Sequence, residues 1–144
     1  MSARSKGRKR ALDILYESDI KGVNPLWLVR ENLTATDEIS RFAIELVEGY
    51  GNQGRFIDSL IDKNAKNWDL DRLASVDRNI LRIATYEILQ RRSEKIENGG
   101  VDLAVAIDEA IELAKSFSTD DSPQYIHGIL SAIARELDGG EVSQ

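Results

Sequence analysis

Residues 122–137 read Ser-Pro-Gln-Tyr-Ile-His-Gly-Ile-Leu-Ser-Ala-Ile-Ala-Arg-Glu-Leu. Ser122 offers an N-cap hydroxyl ahead of Pro123, whose fixed φ and missing N–H suit the first turn of a helix. Ile126, Ile129, Leu130, Ile133, Ala134 and Leu137 then recur at three- and four-residue spacing, which gathers them on one face. Gly139 and Gly140 mark the expected stop. Gly128 lies inside the helix, where it costs about 1 kcal/mol relative to Ala, so a close helix crossing or an approaching ligand backbone is expected there. Strict two-residue alternation never holds for the length of a strand, and the reading is an all-α chain.

Working back from that helix, Ser118–Ser122 is a compact polar turn, and 103–117 is a helix with Val105, Ala106, Ala110, Leu113 and Ala114 inward. Gly99–Gly100 marks an exposed loop. Ser75, followed by Asp77 in the first turn, opens a long helix burying Ile80, Leu81, Ala84, Ile88 and Leu89. Further back come 52–65 (Phe56, Ile57, Leu60 and Ile61 inward) and a helix opened at Thr36–Glu38 (Ile39, Phe42, Ala43, Leu46, Val47 and Tyr50). A short helix from Asn24-Pro25 is anchored by Trp27, Leu28 and Leu33. The first helix, about 5–20, turns Leu12, Leu15, Tyr16 and Ile20 inward before Gly22. About seven helices with short connections form one domain over 5–137. Residues 1–10 are a basic arm leading into the first helix, and 138–144 a flexible tail.

The 144 residues are 42% hydrophobic and 31% charged, enough for one domain with a sizeable core. The formal net charge of -6 excludes a uniformly basic nucleic-acid binder. The distribution matters more: residues 1–10 hold Arg4, Lys6, Arg8, Lys9 and Arg10 and no acid, so -6 less this +5 leaves -11 on the rest. Such an arm either neutralises phosphates or is a solvated tail. With no cysteine and one histidine, His127, the chain has no disulfide, thiol site or His-rich metal site, and cytoplasm is the expected compartment. No segment reaches the ~20 apolar residues of a membrane span, and no Gly-rich phosphate loop, metalloprotease or serine-hydrolase pattern occurs. No catalytic residue, metal or cofactor is expected.

Four features remain for function. Glu109 and Glu112 share a helical surface, solvated or facing a partner. Tyr125, at the start of the last helix, is either a boundary aromatic or a platform for an unpaired base. A lone His such as His127 is most often a surface or hydrogen-bonded residue. Arg72, Arg78 and Arg82 lie among Asp69, Asp71 and Asp77, and for Arg82 an internal ion pair is expected.

Three segments in register carry a resemblance over about 130 residues. They are the basic start into Arg10-Ala-Leu-Asp-Ile-Leu-Tyr16, then Val76-Asp-Arg-Asn-Ile-Leu-Arg-Ile-Ala-Thr-Tyr-Glu87, and Val105-Ala-Ile-Asp-Glu-Ala-Ile-Glu-Leu-Ala-Lys-Ser-Phe117 followed by Asp121-Ser and Ile126-His-Gly-Ile-Leu130. The chain thereby resembles the NusB family of bacterial transcription antitermination factors. That resemblance implies two small helical bundles and a non-enzymatic role: binding single-stranded boxA RNA of ribosomal-RNA leader transcripts with the small-subunit ribosomal protein NusE, within the RNA polymerase antitermination complex. By position, Arg4, Lys6, Arg8 and Arg10 would meet phosphates, Asp121 would accept from a base, Tyr125 would stack, and His127 would lie beside them. Asp77, Glu109 and Glu112 would face the basic protein partner. The family usually has Asn where His127 stands, often Gly at 118, and an arm richer in Arg than Ser5 and Gly7 allow. A NusB-like module also begins some ribosomal-RNA cytosine methyltransferases, but their Gly-rich cofactor loop is absent here. The alternative of a different class is a protein-binding helical scaffold or homodimer without specific RNA recognition.

Overall fold

A computed structural model describes residues 2–65, 73–98 and 103–142, without the side chains of 94–98 and 140–142. The expected features at Trp68–Arg72, the Gly99–Gly100 loop and the last two residues lie outside the described residues. Seven helices make up the described chain: α1 (Ala3–Lys21), α2 (Pro25–Asn32), α3 (Glu38–Asn52), α4 (Gly54–Asn64), α5 (Ser75–Asn98), α6 (Ala104–Phe117) and α7 (Ser122–Val142). The all-α expectation holds.

Local chemistry sets the ends. Ser2, Asn24 and Asp37 cap α1, α2 and α3 by accepting from Ser5, Leu26 and Ser40 N–H, each satisfying a donor that the first turn leaves open. Gly22 closes α1 at φ 66°, the left-handed conformation that glycine adopts without a Cβ clash. α1, α2 and α3 pack together, α6 and α7 pack together, and α5 touches α1, α3, α4, α6 and α7. The core is therefore continuous, with Leu15, Leu46, Ile57, Ile80, Leu81, Ile126 and Leu130 fully buried.

One boundary shifts and two groups of expectations fail. α1 begins at Ala3, two residues ahead of the expected start, so the basic arm is helix almost from its start. Tyr16, Ile20, Trp27, Phe56 and Val105 are exposed rather than inward. They flank buried positions on helices covered from one side only, where an apolar stripe can be wider than the contact it makes. α7 continues through Gly139 and Gly140, because its end is held from outside: Arg92 Nη2 donates to the Leu137 carbonyl at 2.8 Å and Arg92 Nε lies 3.5 Å from Asp138. Gly7 is also explained. A Cβ there would meet Phe42 Cδ2 at 3.0 Å and the Ile39 carbonyl at 3.1 Å, so the missing side chain lets α1 settle onto α3.

Candidate functional site

At 3.6 residues per turn, cations at 4, 6, 8, 9 and 10 cannot share one face of a helix, and α1 distributes them accordingly. Arg8 falls in line with Ala11, Leu12 and Leu15 and is buried, its side chain 3% exposed. Its Nε and Nη2 both donate to Glu87 at 2.8 Å, and Nη1 lies 3.7 Å from Glu109. Burial works against the charge, but the Glu87 bond and the fields of Glu87 and Glu109 hold the guanidinium above its ordinary range. The expectation that Arg8 meets phosphates is thus corrected: its charge is spent inside the fold, in a bidentate pair whose disruption costs about 3–5 kcal/mol. Arg4 turns toward α3, 4.5 Å from the Phe42 ring centre. Arg10 turns the same way, donating to Ser40 Oγ at 3.1 Å, and Lys6 is exposed. Lys9, an arm cation not among the expected phosphate contacts, lies on the α6 side, 4.7 Å from the Phe117 ring centre and paired with Asp13 at 2.7 Å.

The turn between α6 and α7 is built on Asp77. This carboxylate, expected on the partner surface, is 3% exposed. It accepts from Ser118 Oγ at 2.6 Å, from Ser122 Oγ at 3.0 Å and from the Tyr125 hydroxyl. Ser122 is in turn bonded to Ser118 and Thr119, both at 2.9 Å. Asp77 is therefore an internal clamp, which corrects its assignment to a partner. Burial and the bond to Asp77 push the Tyr125 phenol upward, so it remains a proton donor at neutral pH. The hydroxyl is engaged inward and the residue half-buried, while Asp121 and His127 are exposed. A Cβ on Gly128 would meet nothing within 4 Å, so the expected close helix crossing is absent and the His127–Gly128 surface lies open.

Between α1 and α6 runs a groove in two parts that share Phe117. One part, about 250 Å³, is lined by Ser5, Glu109, Glu112, Leu113 and Ser116. The other, about 240 Å³, is lined by Lys9, Leu12, Asp13, Tyr16 and Val76. Tyr16 and Phe117 are 41% and 42% exposed, two aromatics at the end of the groove nearest the Asp77 turn. Ser5, which dilutes the basic segment, gives its N–H to the Ser2 cap of α1, and its hydroxyl donates to Glu109 at 3.3 Å. Glu109 thus has one face toward the protein and one toward the groove, while Glu112 is exposed. Acid and apolar surface side by side suit a basic protein segment.

Arg78 and Arg82 complete the sequence candidates. Arg82 reaches Asp58 at 2.9 Å and Asp19 at 3.1 Å, and Arg78 reaches Asp19 at 2.9 Å, so the expected internal pairing of Arg82 holds, with partners the local sequence did not offer. Among the described residues no group of three or more His, Asp or Glu could hold a metal ion, and no helix is long and apolar enough to cross a membrane.

Comparison with known proteins places this geometry in context. The pattern of the NusB family matches residues 5–135. The transcription antitermination protein NusB of Saccharopolyspora erythraea is 42% identical over 136 residues, 93% of this chain and 88% of the relative. NusB of T. maritima superposes with a TM-score of 0.78 at 32% identity, covering 94% of this chain and 93% of that one. A crystal structure of antitermination factors NusB and NusE in complex with dsRNA gives a TM-score of 0.72 at 27% identity, covering 94% and 98%.

Proposed function

The chain belongs to the NusB family of transcription antitermination factors, which are not enzymes, and from that premise we propose that it binds boxA RNA of ribosomal-RNA leader transcripts together with NusE, in the cytoplasm, and so helps RNA polymerase resist termination. The observation that carries the reading is the turn clamped by Asp77, which presents Asp121, the half-buried Tyr125 ring and the open His127–Gly128 surface beside a groove ending in Tyr16 and Phe117. Bases meet Asp121, Tyr125 and His127, while Arg4, Lys6, Arg10 and Lys9 supply the salt-sensitive part of the affinity. Glu109 and Glu112, lining the α1–α6 groove with Leu113 and Phe117, face the basic protein partner. The relative solved with NusE holds dsRNA; unpaired RNA is favoured here because a turn with an aromatic and a carboxylate reads base edges only when they are splayed out.

The test is anisotropy binding of a short boxA-like RNA, as single strand and as duplex, against a scrambled control at two salt concentrations, with and without NusE. The expected result is a sequence preference on the single strand that strengthens with NusE. Equal, weak binding to every RNA, unaffected by NusE, would instead leave a protein-binding scaffold or homodimer, which sedimentation over a concentration range would read directly.

A further inference from the structure

On the flank of α1 away from α6 lies a cleft of about 510 Å³, bordered by α1, α3 and α5 and lined by Arg4, Phe42, Glu45, Tyr86, Gln90 and Arg91 among others. The charges facing it do not cancel. Glu87 at its wall is consumed by the bidentate bond from Arg8, which leaves Glu45 against two guanidiniums. Neither Arg4 nor Arg91 forms an ion pair or hydrogen bond among the described residues. Arg4 is nonetheless held, its guanidinium stacked against the Phe42 ring, an arrangement that keeps the donor fork oriented at low entropic cost. Arg91 approaches from α5 on the opposite wall, and the exposed Gln90 adds an amide.

We infer that this cleft is a subsite for a phosphodiester of single-stranded RNA flanking the element read at the α6–α7 turn, with Arg91 and Arg4 gripping it from two helices. The guanidinium fork matches phosphate oxygens bidentately. Roughly 18 Å of helix separates Arg4 from Tyr16, so a strand engaged at the turn reaches the cleft only through several additional nucleotides along α1. The inference rests on the RNA reading above and extends the footprint across the cleft to α5, through a residue for which the sequence offered no sign: Arg91 stands 87 residues beyond Arg4 in the chain.

The experiment uses the full chain and its Arg91→Gln and Arg91→Lys variants, with RNAs carrying the same boxA-like element with and without flanking nucleotides at either end, titrated across salt concentrations. For the unmodified protein, extension at one end raises affinity and steepens the log–log salt dependence by about 0.7 per phosphate engaged. Arg91→Gln is expected to lose about tenfold on the extended RNA and to erase the extra slope, while binding the minimal element as before; Arg91→Lys recovers part of the slope but not the full affinity. Equal extension gains in the unmodified and Arg91→Gln proteins would overturn the subsite while leaving the RNA reading intact. Failure of the unmodified protein to bind any of these RNAs would overturn both.

Discussion

Two carboxylates at the foot of α5 are held in opposite ways. Asp19, reaching over from α1, accepts from Arg78 at 2.9 Å, Arg82 at 3.1 Å, Asn79 at 2.8 Å and Ser75 at 3.1 Å, and Arg82 carries the network on to Asp58, which also receives the Tyr50 hydroxyl at 3.0 Å. Asp77, on α5 itself, is met by three hydroxyls from the α6–α7 turn and the start of α7 and, among the described residues, by no cation. Guanidinium forks on a carboxylate are rigid and charge-assisted; hydroxyls rotate about one bond, and Ser122 lies within bonding distance of Ser118 and Thr119 as well as of Asp77. The first arrangement makes a joint between α1, α4 and α5. The second holds a surface turn in one shape at modest cost, which suits a segment that meets a ligand.

If that distinction is sound, the two aspartates separate under mutation. Asp19→Ala leaves two guanidiniums facing a shared hole and is expected to lower stability by about 3 kcal/mol, read as the urea midpoint, with RNA affinity of the folded protein nearly unchanged. Asp77→Ala is expected to cost about 1–2 kcal/mol, since the freed hydroxyls can bond one another, yet to weaken boxA binding about tenfold with an unaltered salt slope. Asp77→Asn, whose amide oxygen still accepts, should recover most of that affinity. Equal stability losses, or RNA binding lost in Asp19→Ala and kept in Asp77→Ala, would break the comparison.

What the sequence revealed, and what it hid, follows the same division between local and distant partners. The helices were legible because their signals are local: Asn24 before Pro25, Asp37 capping at Ser40, Gly22 after Lys21 and the three–four spacing after Ser122. The roles of charged residues were not. Arg8 looked like one of five cations on an arm, since Glu87, 79 residues away, is invisible to any local charge pattern. Asp77 looked available for a partner because Ser118, Ser122 and Tyr125 come 41 to 48 residues later. Ser118, where the family often has Gly, read as a departure, but its hydroxyl is one of the three that hold Asp77. Exposed aromatics were misjudged for the converse reason: Tyr16 has the right spacing for the core, but no described helix covers that side and it stands at the groove.

The smallest effect concerns protons. Burial opposes the charge on Asp19, but Asn79, Arg78 and Arg82 more than offset it and hold the carboxyl below its ordinary value. An unfolded aspartate titrates near pH ~3.9, so between that value and the lower folded one the unfolded chain binds more protons than the native chain. Stability must then fall as the pH falls through this window. The stabilisation owed to the charge of Asp19 is fully present above the unfolded value and disappears below the folded one. Denaturation of the natural chain and of Asp19→Asn at stepped pH should therefore show a gap that is constant above about pH 5 and closes in acid. A gap of the same size on both sides of the window would mean that the joint depends on the shape of the Asp19 side chain rather than on its charge, and the contrast with the hydroxyl-held Asp77 would lose its electrostatic basis.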